Sequence, residues 1–147
     1  MNPHSISITK IFTFDTAHAL ENYPGKCKNI HGHTYILHVT VTGHVVNVPN
    51  DPYEGMIVDF GDLKNWVRTQ VIEDFDHTLV LDKKGEFIKS SLIEKNSKVL
   101  GVDYVPTCEN MLIDICNRLR DSMMPGLTLK RLLLYETPTS YAEWNSE

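Results

Sequence analysis

The residues best placed to do chemistry in this 147-residue chain are three histidines. His31 and His33 flank Gly32. Residues two apart in an extended strand point to the same side, with Cα atoms roughly 6.5–7 Å apart. Both imidazoles can therefore converge on one ion, and Gly32 leaves room for close approach. A catalytic zinc usually has three protein ligands and one open position. His18 stands at the end of an earlier strand-like run, and pairing of the two runs would bring it beside the other two. Three histidines with no evident fourth ligand suit an open catalytic site better than a closed structural one. His38 has the opposite strand parity and should face away.

Cys27 lies four residues before His31, between Lys26 and Lys28. Nearby cations or a metal favour a thiolate. The alternatives are a fourth zinc ligand or an inert thiol, and for the lysines a merely solvated loop. Asp76 and His77 are adjacent, so the carboxylate can fix the tautomer of the ring or raise its basicity. The plainer reading is a histidine meeting a helix C-terminus. Glu109 falls in the first turn of a helix, where carboxylates are ordinary. Glu136 shares parity with Leu132 and Leu134 and reads as an inward carboxylate at the end of an apolar strand. Such a group needs a partner, and a heterocycle with adjacent N–H donors would suit it.

The elements that must position these groups follow from hydrophobic spacing. Ile6, Ile8, Phe12 and Phe14 alternate as a half-buried strand. Residues 19–30 read as a loop. His33, Tyr35, Leu37, Val39 and Val41 share one face of a second strand. Residues 43–55 read as a hairpin loop, and residues 56–60 as a third strand. Leu63, Trp66, Val67, Val71 and Phe75 repeat at helical spacing, so residues 62–74 form an amphipathic helix. Residues 82–98 are polar and hard to assign, with Phe87, Ser91 and Leu92 facing inward from a short helix. Residues 99–105 read as a short strand or an extended lead-in. A second helix follows Pro106, with Thr107 as its N-cap, and ends at Pro125-Gly126. Residues 129–135 form the last strong strand. The pattern predicts an α+β fold with helices on one face of an antiparallel sheet. The other face, expected to be apolar, should be covered by a partner subunit.

Composition bounds the reading further. The length suits a single domain spanning residues 1–147. The formal net charge is −5 without a basic stripe, which argues against a nucleic-acid partner. No apolar run reaches the roughly 20 residues of a membrane helix, and the first ten residues carry no apolar signal-peptide core. Three cysteines at no disulfide-like spacing point to a reducing cytoplasm.

Several of these groups sit in motifs that occur together. Phe14-Asp-Thr-Ala-His18, Cys27-x-x-x-His31-Gly-His33, Val58-Asp-Phe60, Asp76-His77, Pro106-Thr-Cys-Glu-Asn110 and Tyr135-Glu-Thr137 resemble, in this order, the 6-pyruvoyltetrahydropterin synthase superfamily. The resemblance implies the tunnelling fold (T-fold): a four-stranded antiparallel sheet with two helices on one side. It implies trimers that close a barrel and stack in pairs as a homohexamer. It implies that His18, His31 and His33 hold Zn2+, that Cys27 is the catalytic thiol assisted by Asp76 and His77, and that Glu136 anchors a pterin. Thr107 and Glu109 match the motif lining the pterin pocket. That pocket would lie between subunits, with Asp76 and His77 serving a neighbour's substrate. Three residues between the cysteine and His-Gly-His resemble the 6-carboxytetrahydropterin synthases of queuosine biosynthesis. The segment 83–105 is longer than in compact bacterial members.

The implied reaction takes the small molecule 7,8-dihydroneopterin triphosphate to 6-carboxytetrahydropterin, acetaldehyde and triphosphate. Zinc would acidify the side-chain hydroxyls and the adjacent C–H bond, Cys27 would remove a proton, and His77 would relay protons. Electrons move within the substrate, so no nicotinamide is needed, and no Gly-x-Gly-x-x-Gly motif is present. One rival stops at triphosphate elimination, as a 6-pyruvoyltetrahydropterin synthase. A rival of another class is a non-catalytic, zinc-stabilised binding module with Cys27 as a fourth ligand.

Overall fold

A computed structural model describes residues 4–95 and 98–147. Two long strands, β1 (Ser5–His18) and β2 (His31–His44), pair antiparallel along their whole length, from Ser5 opposite His44 to His18 opposite His31. Their even and odd residues respectively turn inward: Phe12 and Phe14 on β1, and Tyr35, Leu37, Val39 and Val41 on β2, are all buried. The two-residue period expected from the sequence thus sets the register.

Helix α1 begins at Phe60–Val67, continues through a π-helical turn at Arg68–Ile72 and ends with an α-turn at Glu73–Phe75. The carboxylate of Asp59 caps it, accepting from the N–H groups of Gly61 and Asp62. Helix α2 spans Cys108–Asp121, and its expected cap Thr107 accepts from Asn110 N–H at 3.2 Å. Leu63, Val67, Val71 and Phe75 from the first helical run join Met111, Leu112, Ile115 and Leu119 from α2 in one core against the inner sheet face. No helix of the described residues is long and apolar enough to cross a membrane.

The expected four-stranded antiparallel sheet requires correction. Among the described residues the sheet has six strands and is mixed. After β1 and β2 come β3 (Thr78–Asp82), β4 (Val99–Val102), β5 (Thr128–Thr137) and β6 (Ser140–Asn145). Their order across the sheet is β4-β3-β1-β2-β5-β6, with β3 parallel to both β1 and β4. A crossover through α1 delivers β3 to the free edge of β1 in the same direction as β1.

Residues 56–60 are not a strand. Asp59 is drawn into the helix cap and Phe60 opens the helix, leaving too short a run to pair; only Met56 O and Gly55 N–H bond back to Val46. The polar stretch after β3 contains two short helical turns, Phe87–Lys89 and Ser91–Glu94. The expected inward turn of Leu92 lies outside what is described. The outer sheet face is also more polar than expected. Thr9 and Thr40, and Ser5 and Thr42, hydrogen-bond across it, while Ile11 and Tyr141 remain exposed.

Candidate active site

The last turn of the β1–β2 pairing brings His18 directly opposite His31, and His33 follows two residues on. The ligating nitrogens of all three lie within 4.8 Å of one another. The cluster rests on Tyr35, whose ring lies 5.6 Å from that of His33 and 6.2 Å from that of His18. Tyr35 in turn stacks on Phe14 at 5.6 Å. The shared parity of Tyr35 and His33 is the signal in the sequence for this contact.

Two backbone carbonyls orient the rings. Nδ1–H of His18 donates to Pro106 O at 2.7 Å, and Nδ1–H of His31 donates to Asn29 O at 2.7 Å. Those bonds leave both Nε2 atoms as bare acceptors, and they face each other at 3.2 Å. Two lone pairs at that distance repel unless a cation lies between them. Tetrahedral zinc with Zn–N bonds of 2.0–2.1 Å spaces its nitrogens by about 3.3 Å, so the donor set fits a metal, with its outer hydrogen bonds already made. Burial lowers the pKa of His18, reinforced by His31 and His33 and opposed by the Pro106 carbonyl and Glu136. Burial likewise lowers that of His33. Both rings therefore favour the neutral form that binds metal.

Glu136 stands beside this cluster, with Oε1 3.6 Å from His18 Nε2 and 3.7 Å from His33 Nε2. Its aim comes from a β-bulge: the β5–β6 register shifts between Tyr135 and Thr137. An extra residue in one strand re-aims its side chain. Glu136, Cys27, Thr107 and Glu109 line one hollow of about 390 Å³ together with Tyr23 and Tyr141. Cys27 reaches it from a 3₁₀ turn at Lys26–Lys28 and is half-buried. Cys108 lines the same hollow, where its thiol donates to Leu134 O at 3.3 Å. Burial, then the charge of Glu136, pushes its pKa up to about 11. A neutral, hydrogen-bonded thiol is a poor nucleophile and a poor metal ligand.

Asp76 and His77 lie elsewhere. Their ligating atoms lie within 4.8 Å of each other and of the Asp15 carboxylate, whose odd position on β1 puts it on the face opposite the histidine cluster. His77 also lines a second hollow with Asp15, Ala17, Gly32, Thr34 and His33. His77 adopts a left-handed φ of 56°, an uncommon conformation for a non-glycine residue. The backbone there is tied twice: His77 N–H donates to Asp15 O, and Asp15 N–H donates to Asp76 Oδ1. The His77 ring sits 3.0 Å from Asp76 and is 76% exposed. Partial desolvation raises the Asp76 carboxyl, but the Asp15 N–H and the His77 ring outweigh it and hold the pKa below its ordinary value.

The match to known proteins now bears on this arrangement. The family model described as 6-pyruvoyl tetrahydropterin synthase matches residues 7–147. The chain belongs to the 6-pyruvoyl tetrahydropterin synthase family. It is 37% identical to a 6-carboxy-5,6,7,8-tetrahydropterin synthase of Haemophilus influenzae, over 93% of this chain and 96% of that one. A Rickettsia bellii protein of the same name is 31% identical over 94% of this chain and 99% of its own. Among solved structures, the Caenorhabditis elegans 6-pyruvoyl tetrahydropterin synthase superposes with a TM-score of 0.69 at 27% identity, covering 98% of this chain and 97% of that one. The α+β fold with two helices on a curled sheet is therefore that of the family. The expectation of an enzyme, a 6-carboxytetrahydropterin synthase-like lyase, stands.

Proposed function

We propose that this chain, acting as one domain over residues 1–147, converts 7,8-dihydroneopterin triphosphate and water to 6-carboxy-5,6,7,8-tetrahydropterin, acetaldehyde and triphosphate, on the route to queuosine. The observation that supports the reading is the hollow shared by Cys27 and Glu136, whose carboxylate stands beside a metal-competent histidine cluster. The name shared by the bacterial relatives supports the substrate class.

His18, His31 and His33 would hold zinc, which would supply Lewis acidity to the hydroxyl groups of the substrate side chain. Glu136 holds the ring edge of the pterin, as a carboxylate facing two N–H donors. Cys27, lining the same hollow, takes and returns a proton at the side-chain carbons. Thr107 and Glu109 border the ring. Thr107 Oγ accepts the α2 cap bond, and its backbone N–H and C=O are bonded to Val105 O and Met111 N–H, so its hydroxyl proton is the part left to contact substrate. Asp76 orients His77 as the proton relay, from a neighbouring copy within a homohexamer. The three free cysteines fit a reducing cytoplasm.

Incubating the zinc-loaded protein with dihydroneopterin triphosphate and identifying the products by mass tests the assignment. Acetaldehyde in equal amount to consumed substrate is expected. Triphosphate with 6-pyruvoyltetrahydropterin and no acetaldehyde would move the chain to the reaction named for its nematode structural relative. No turnover at all, with zinc bound, would leave the non-catalytic module.

A further inference from the structure

The long segment after β3 has no part in the chemistry above, yet it is fastened to the loop that carries Cys27. It opens with a tight turn: Gly85 N–H donates to Asp82 O, and Lys84 N–H donates to the Asp82 carboxylate. The next two N–H groups, of Glu86 and Phe87, lead into the 3₁₀ turn at Phe87–Lys89. First-turn N–H groups need outside acceptors. Both donate to one oxygen from a distant part of the chain, Glu21 Oε1, at 2.7 and 2.8 Å.

The fit on the other side of this carboxylate is tighter. Glu21 Oε2 is buried without a hydrogen-bond partner. A Cβ on Gly85 would fall 1.8 Å from it, so only glycine lets the turn close over the carboxylate. Glu21 itself stands at the neck of the Cys27 loop. Its neighbour Leu20 donates N–H to Cys27 O at 2.9 Å, and Tyr23 N–H donates to Leu20 O. Leu20 and Tyr23 line the same hollow as Cys27 and Glu136.

We propose that Glu21 is a positioning residue: by clamping residues 85–87 it fixes the neck of the Cys27 loop, so that the segment following β3 sets where the Cys27 thiol stands. The inference rests on the proposed role of Cys27, but its first readout does not require turnover. Charge-assisted bonds to two N–H groups are stronger than neutral ones. Their loss should let the loop open locally while the sheet and core persist.

The experiment uses full-length zinc-loaded protein. Iodoacetamide labelling of each cysteine is followed by peptide mass mapping in Glu21→Ala, Gly85→Ala and Glu21→Gln. Glu21→Ala and Gly85→Ala break the clamp from opposite sides. Both should change the Cys27 labelling rate by roughly tenfold, the equivalent of one lost charge-assisted bond. Cys108 labelling, zinc content and KM should stay level, and kcat should fall. Glu21→Gln keeps one oxygen acceptor and should lie between them and wild type. Unchanged Cys27 labelling in a folded Gly85→Ala or Glu21→Ala protein overturns the proposal, and Gly85→Ala carries the test if Glu21→Ala does not fold. Altered labelling in a protein whose wild type has no turnover upholds the clamp and overturns the function. Unchanged labelling with normal turnover does the reverse.

Discussion

The histidine cluster and the Asp76–His77 pair belong to the same ends of β1 and β2 but to opposite faces of the sheet. The first is inward. His18 is 1% exposed, and two ring nitrogens are already bonded to carbonyls of the same chain. The second is outward, with His77 76% exposed on a left-handed backbone. It is held through its backbone and the Asp76 carboxylate: the ties to Asp15, and Lys98, whose ammonium donates to Glu73 O and Asp76 O at 2.7 and 2.6 Å. One region is finished within a single chain. The other is held rigidly but presented to the outside. Under the proposed mechanism both must act on one substrate, so the second has to reach a hollow on another copy.

The largest effect expected is at the inward region. His31→Ala or His33→Ala should lose zinc and all measurable turnover while the oligomer stays folded, because these side chains lie at the sheet end rather than in the helix-packed core. Metal content by atomic emission, with circular dichroism and sedimentation on the same sample, checks this. Retention of a full complement of zinc by both variants would remove the metal from the account.

Next in size is a test of the division itself. Cys27→Ala and His77→Ala should each lower kcat by roughly 10²–10⁴, the usual contribution of an acid–base residue, with zinc retained in both. Subunits of the two variants, unfolded and refolded together, should regain part of the activity. In the mixture, some hollows pair an intact Cys27 with an intact His77 from a neighbour. Recovery absent from a mixture shown to contain both subunits would place His77 in its own chain's chemistry, or in none.

How far these regions could be read beforehand differs in the same way. The period-two runs of β1 and β2 carry the histidine cluster, since parity alone puts His18, His31 and His33 on one side. The Thr107 cap and the apolar stripes of both helices were equally local signals. The five-residue β3 was not legible. It pairs with only three residues of β1, Thr16 to His18, and that parallel contact joins segments far apart in the chain, Thr16 to Thr78. β6 did leave a trace, since Ala142 and Trp144 alternate toward the core, but it is short and follows a strand that already looked complete. At Glu136, parity gave the inward side, whereas the bulge that aims it depends on pairing with β6. Asp76-His77 was visible as a pair, and its outward placement was not, because Asp15, sixty-one residues earlier, determines it.

A smaller effect tests which part of the inward region meets substrate. Glu136→Gln exchanges one acceptor for a donor. Against paired N–H groups of a pterin this should raise KM by roughly ten- to a hundredfold, as for a hydrogen bond to a charged group. Zinc content should not change, although Glu136 lies beside two of the histidines. If zinc falls with it, Glu136 helps hold the metal and the pterin needs another anchor.

The smallest effect concerns the polarity of the hollow, read through Cys108. Burial and the charge of Glu136 raise its folded pKa to about 11, against an ordinary value of 9.0. In the unfolded chain the thiol ionises first. Between pH 9 and about 11 the folded state therefore binds more protons than the unfolded state, and stability must fall as pH rises. Below pH 9 both states are protonated and this contribution is fully present. Cys108→Ala removes the titration while leaving Glu136 and Cys27 in place. Denaturant unfolding of wild type and variant at pH 8 and pH 10.5 should therefore converge or cross: the wild type loses stability relative to the variant on going up in pH. Asp76 is bonded to Asp15 on the other face of the sheet, so the Cys108 difference should persist in an Asp76→Asn background. A constant gap between wild type and Cys108→Ala across the range would mean that water reaches Cys108 freely. The hollow would then be as open as the surface that carries His77, and the contrast between the two regions would rest on the histidines alone.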